Sequence, residues 1–254
     1  MMECCRHFRR TRGPGWPRRP VCRAALGLLV VVLLAGCGSD GSGPSGTAGG
    51  GASARSSADG ASAAAMEEAP LVVFLGDSLT AGLGLGEAEA FPARIEEELL
   101  DEGHRVEVIN AGVSGDTSTG GLSRLDWLLS QDPEIVVVGL GANDGLRGLP
   151  VEATEENLRR IVTRSREAGA EVVLLGMKIP PSYGVDYAGR FEDLYRRIAD
   201  DLDVPLVPFL LEGVAAKPAL NLPDRIHPNA RGHELIAETV YPYVEDALDE
   251  AKDR

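Results

Sequence analysis

A serine hydroxyl is a weak nucleophile, so it needs a base beside it, and the base needs a group to orient it. Ser78 stands in Gly76-Asp77-Ser78-Leu79, directly after an apolar run at 71–75. That order places a hydroxyl at the carboxyl end of a strand, the edge where open α/β sheets hold their ligands. Taken alone, Asp77 and Ser78 read equally well as the cap of a following helix. Four histidines are candidates for the base. His7 falls in a basic leader, His104 in a helix-to-strand turn, and His233 on what reads as the surface of the last helix. His227 remains, in Asp224-Arg225-Ile226-His227-Pro228-Asn229. Pro228 biases His227 toward an extended backbone, and a carboxylate three residues earlier can fold back to meet the imidazole N–H. An isolated Asp-x-x-His is also an ordinary loop feature. Its place ahead of the last helix, with Ser78 after the first strand, favours the chemical reading.

Acyl transfer further needs donors for a developing oxyanion. The glycines of Asn110-Ala111-Gly112-Val113-Ser114-Gly115-Asp116-Thr117 allow a backbone N–H to face a cleft. Gly139-Leu140-Gly141-Ala142-Asn143-Asp144-Gly145 brings an asparagine amide to the same edge. Each stretch by itself reads as a turn. Four such loops on one rim, carrying Ser, Gly, Asn and Asp/His in that order, are better explained as a site.

These loops require a scaffold, and the hydrophobic pattern supplies one. Apolar runs at 71–75, 106–110, 135–139, 172–176 and the short 205–207 alternate with amphipathic stretches near 91–101, 121–130, 155–168, 187–202 and 230–251. Runs without polar alternation are strands buried on both faces, and Phe191, Leu194, Tyr195 and Ile198 recur at helical spacing. The expected fold is α/β, a flavodoxin-like three-layer sandwich in which a five-stranded parallel sheet carries helices on both faces.

Domain organisation follows from composition. Residues 1–23 hold seven arginines and one glutamate, and a twelve-residue apolar run at 24–35 suits a secretory segment better than a membrane span. It ends in Leu34-Ala35-Gly36-Cys37, which resembles the lipobox of bacterial lipoproteins; the alternative is a plain membrane anchor. The resemblance implies a signal peptide at 1–36, lipidation of Cys37, export, and attachment to the cell envelope. Residues 37–69 read as a Gly/Ser/Ala tether and 70–254 as the folded domain. Cys4, Cys5 and Cys22 lie in the leader and no cysteine follows Cys37, so no disulfide, thiol nucleophile or cysteine metal site is expected after it. The chain carries a net charge of −14, and near −20 without residues 1–36, which excludes nucleic acid as a partner.

From about residue 71 to 248 the sequence resembles the SGNH, or GDSL, hydrolases, in particular the bacterial thioesterase, lysophospholipase and arylesterase group. The blocks Gly76-Asp77-Ser78-Leu79, Ser114-Gly115-Asp116-Thr117, Gly141-Ala142-Asn143-Asp144 and Asp224-Ile226-His227-Pro228 carry the resemblance. It implies Ser78 as nucleophile, His227 as general acid/base and Asp224 as the residue that holds it. It further implies the N–H groups of Ser78 and Gly115 and the Asn143 amide as oxyanion donors, with Asp77, Asp116 and Asp144 bracing the loops. Ala142 departs from the family's frequent second glycine. The expected activity is hydrolysis of carboxylic esters or thioesters by a monomer without metal or cofactor. A carbohydrate O-acetylesterase and a non-catalytic surface-binding lipoprotein are the alternatives.

Overall fold

In the computed structural model, which describes residues 69–252, five strands form one parallel sheet in the order β2-β1-β3-β4-β5. The strands are β1 (Leu71–Gly76), β2 (Glu107–Gly112), β3 (Ile135–Gly139), β4 (Glu171–Leu175) and β5 (Leu206–Val207). The proposed leader, Cys37 and tether lie outside the described residues. Among the described residues no helix is long and apolar enough to cross a membrane.

The helices are α1 (Ser78–Ala81), α2 (Phe91–Asp101), α3 (Ser118–Leu129), α4 (Ala142–Leu146), α5 (Val151–Glu167), α6 (Val185–Leu202) and α7 (Ala230–Lys252). α2 packs on α7, while α3, α5 and α6 pack in a row, so the sheet lies between two groups of helices. Its centre is apolar throughout: Val72 to Leu75, Ile135 to Val138 and Val172 to Leu175 are buried. Each helix adds a buried stripe, such as Phe91, Ile95 and Leu99 from α2 or Ile236, Val240, Val244 and Leu248 from α7. Full burial of one such side chain is worth about 1.5–3 kcal/mol.

Strand order also locates the site. The chain leaves β1 for β2 on one side and returns past β1 to β3 on the other. With crossovers of one hand, this reversal sends successive helices to opposite faces and opens a crevice at the carboxyl end of β1. Ser78 begins there.

Three helices begin earlier than their periodicity predicts. α3 starts at Ser118 rather than 121 because the Thr117 hydroxyl caps it by accepting from Gly120 N–H. α5 starts at Val151, directly after Pro150, and buries Val151 and Thr154 ahead of the expected start at 155. α6 starts at Val185 after Gly184 rather than at 187. The short α4 is not expected at all, since five residues are too few to show a period.

Candidate active site

Asp77 caps α1, its Oδ1 accepting from Leu79 N–H at 3.0 Å, and this turns Ser78 out of the end of β1 as the helix's first residue. Two glycines let α1 sit so close to the sheet. A Cβ on Gly76 would lie 1.9 Å from Thr80 Oγ1, and one on Gly112 would lie 2.2 Å from Ala81 N. Asn110 completes the fit by donating to Thr80 O at 2.9 Å.

His227 arrives from the far end of the chain on a closed loop. Leu222 N–H donates to His227 O at 2.7 Å, and Asn221 and Pro228 form an antiparallel bridge. Within the loop Asp224 Oδ1 accepts from the N–H groups of Ile226 and His227 at 2.9 and 3.0 Å, while Arg225 adopts φ 62°. Asp224 Oδ2 stands 2.7 Å from His227 Nδ1, and His227 Nε2 stands 2.9 Å from Ser78 Oγ. The two backbone N–H bonds, led by that of Ile226, and the bond from the imidazole hold the Asp224 carboxyl down at about 2. The carboxylate is therefore ionised at any working pH and accepts from Nδ1–H, which leaves Nε2 to accept from the serine hydroxyl.

The oxyanion candidates converge on the same edge. Ser78 N–H opens α1 and has no acceptor within the helix. Gly115 is exposed with φ 82°. Asn143 Nδ2 donates to Asp77 Oδ2 at 3.1 Å and to Asp116 O at 2.9 Å, so both its hydrogens are engaged in the resting site. Burial pushes the Asp77 carboxyl up to about 6, against the Leu79 N–H bond that favours its charge.

The motif aspartates brace the loops. Asp116 pairs with Arg124 at 2.9 Å, and the buried Asp144 accepts from Ser118 N–H at 2.8 Å and Ser118 Oγ at 2.6 Å. Several supports carry no motif. Arg124 also donates to Ala111 O and Gly76 O, tying the ends of β2 and β1 together. Tyr195 donates to Leu140 O, and Arg147 donates to Gly115 O at 2.7 Å. Their partners are backbone carbonyls, which leave no residue-type signature.

The other histidines stand apart. His233 is not on the surface as expected but 1% exposed, its Nδ1 accepting from Phe91 N–H at 3.1 Å and its ring stacked on Phe91. Burial lowers its pKa to about 4. His104 lies at the amino end of β2, away from Ser78. Among the described residues, Glu102, His104 and Glu245 bring ligand atoms within 4.8 Å of one another, with Lys252 Nζ 3.1 Å from His104 Nδ1.

Residues 74–235 match the GDSL-like Lipase/Acylhydrolase family. An arylesterase from Vibrio mimicus is 40% identical over 178 residues, covering 70% of this chain and 89% of the relative. The chain belongs to the GDSL-like lipase/acylhydrolase family. This GDSL hydrolase is also 41% identical over 171 residues to "Thioesterase 1/protease 1/lysophospholipase L1" of Escherichia coli strain K12, covering 67% of this chain and 81% of that one. Its fold superposes on a crystal structure of TesA with a TM-score of 0.68 at 39% identity, covering 70% of this chain and 99% of the other. The chain is accordingly an ester-bond hydrolase of the serine esterase and thioesterase type.

Proposed function

We propose that Ser78, His227 and Asp224 are the catalytic residues of a lipid-anchored envelope esterase that acts on carboxylic esters or thioesters with medium or long acyl chains. The observation that carries this reading is the continuous chain from Asp224 Oδ2 through His227 to Ser78 Oγ, with contacts of 2.7 and 2.9 Å. The hydroxyl proton passes to His227 Nε2 as Oγ attacks the carbonyl carbon. The tetrahedral oxyanion is met by the N–H groups of Ser78 and Gly115 and by the Asn143 amide, which shares a hydrogen now given to Asp77 or Asp116 O. Collapse expels the alcohol or thiol, which takes the proton from His227. Water then attacks the acyl-serine with His227 as base, releasing the acid and restoring Ser78.

The exposed apolar side chains favour a fatty chain over acetate. Of the eight large exposed hydrophobic residues among the described residues, Leu83, Val113, Leu146, Tyr183, Val185 and Ile226 stand on the segments that follow β1 to β4 or precede α7, the rim of the site. Cys37, in its lipobox-like context, supports the anchor, and a monomer is the proposed state.

Hydrolysis of p-nitrophenyl esters from acetyl to palmitoyl, with Ser78→Ala as the blank, tests the reading. The expected result is a Ser78-dependent optimum at medium or long chains. Activity confined to acetate would transfer the substrate assignment to carbohydrate acetyl esters, and a Ser78→Ala protein as active as the wild type would remove the mechanism. Loss of radiolabelled palmitate from a Cys37→Ala chain expressed in a bacterial host tests the anchor separately.

A further inference from the structure

The geometry points to Arg147 as a positioning residue that holds the two loop-borne oxyanion donors, Gly115 N–H and the Asn143 amide, in one register. This rests on the assignment of those donors above. Arg147 is the C-cap of α4, its backbone N–H bonded to Asn143 O at 3.1 Å, so it is fixed to the helix that carries Asn143. Its Nη2 donates to Gly115 O at 2.7 Å. That bond joins the loop after β3 to the loop after β2, strands that flank β1 and the serine at its end. Asn143 Nδ2 makes a second link between the same loops through Asp116 O at 2.9 Å.

A held carbonyl matters here because of the turn in which Gly115 sits. Asp116 N–H donates to Val113 O at 3.0 Å, closing a turn over 113–116, and Gly115 takes φ 82° at its third position. Glycine visits positive and negative φ about equally, so the turn alone does not decide which way Gly115 N–H faces. Val113 O, held by Asp116 N–H, fixes the peptide plane before the one that carries Gly115 N–H, and Arg147, by holding the Gly115 carbonyl, steadies the plane after it, so the peptide between them is restrained from flipping. Oxyanion stabilisation depends on donors already aimed when charge develops. A guanidinium suits the task because it stays charged and its planar fork is stiff, whereas a lysine ammonium is a flexible point charge.

Steady-state kinetics on full-length Arg147→Ala and Arg147→Lys, compared with wild type and Ser78→Ala, test this role. Inhibition by phenylboronic acid, whose tetrahedral adduct on the serine mimics the intermediate, is measured alongside. The expected result for Arg147→Ala is a kcat about tenfold or more lower, short of the roughly 10²–10³-fold cost of deleting a donor outright. KM stays within about twofold, boronate affinity falls in parallel with kcat, and Arg147→Lys falls between alanine and wild type. An unchanged kcat in a folded Arg147→Ala protein would overturn the assignment. So would a raised KM at constant kcat, or a kcat loss that leaves boronate affinity intact. Ser78→Ala turning over like wild type would instead remove the active-site reading itself, and Arg147's role with it.

Discussion

At the scale of single residues, the site depends on which nitrogen of His227 carries the proton. Asp224 fixes this through three bonds at once: two backbone N–H groups settle the carboxylate in its turn, and its second oxygen takes Nδ1–H. Asp224→Asn keeps an oxygen for the turn but offers an N–H where the imidazole needs an acceptor. The imidazole is then driven toward the tautomer that cannot accept from Ser78. The expected outcome is a kcat lower by roughly 10²–10⁴ with an unchanged circular dichroism spectrum and melting temperature. A kcat within threefold of wild type would show that Asp224 does not set the tautomer. The grouping of Ser78, His227 and Asp224 was legible in the sequence because that reading rests on side-chain type and order along the chain. Arg124, Arg147 and Tyr195 were not, because each serves a carbonyl, and any residue can supply one. His233 was misplaced because an imidazole in a helical pattern gives no sign of being buried. Its partner, the Phe91 N–H, is an orphan donor at the start of a distant helix.

At the scale of elements, the two shortest helices carry the most chemistry and were least visible in advance. α1 bears Ser78, the proposed nucleophile, and α4 the candidate amide, and both are too short to be stable alone. Their positions come from what they touch. α1 is seated where β1 and β2 end in glycine, so the sheet itself aims Ser78. Gly112→Ala would force a methyl group to 2.2 Å from Ala81 N, backbone that can yield only if α1 moves. The expected cost is about 1–3 kcal/mol in denaturant stability, together with at least a tenfold drop in kcat as Ser78 leaves His227. Gly189→Ala in α6 is the contrasting case, since nothing lies within 4 Å of the added methyl. There the helix gains about 0.5–1 kcal/mol and kcat stays constant. Equal effects from the two substitutions would mean that close packing of α1 does not position the serine. The long helices and central strands were legible because their periods run over many residues, with the largest errors at the helix starts after Thr117, Pro150 and Gly184 and shifts of a single residue elsewhere.

At the scale of the whole molecule, two buried groups on different elements place opposing slopes on stability in the same pH range. Asp77 titrates at about 6 in the fold against an ordinary 3.8, because burial disfavours its charge. Between those values the folded chain binds more protons than the unfolded one, so this group makes stability fall as pH rises. His233 titrates at about 4 against an ordinary 6.5, again through burial. Between those values the unfolded chain binds more protons, so His233 makes stability rise with pH. Each effect amounts to about 3 kcal/mol at most, and over roughly pH 4 to 6 the two largely cancel. Removing either one should therefore expose the other. Asp77→Asn, which keeps an acceptor for Leu79 N–H, is expected to gain stability with rising pH more steeply than wild type. His233→Asn, whose Oδ1 replaces Nδ1 as acceptor for Phe91 N–H, is expected to gain less or to lose stability. The double variant should run parallel to wild type. Urea midpoints at pH 4.5, 5.5 and 7 separate these cases, because the substitutions' fixed costs displace each curve without changing its slope. Four parallel curves would mean that neither group's buried environment shifts its titration.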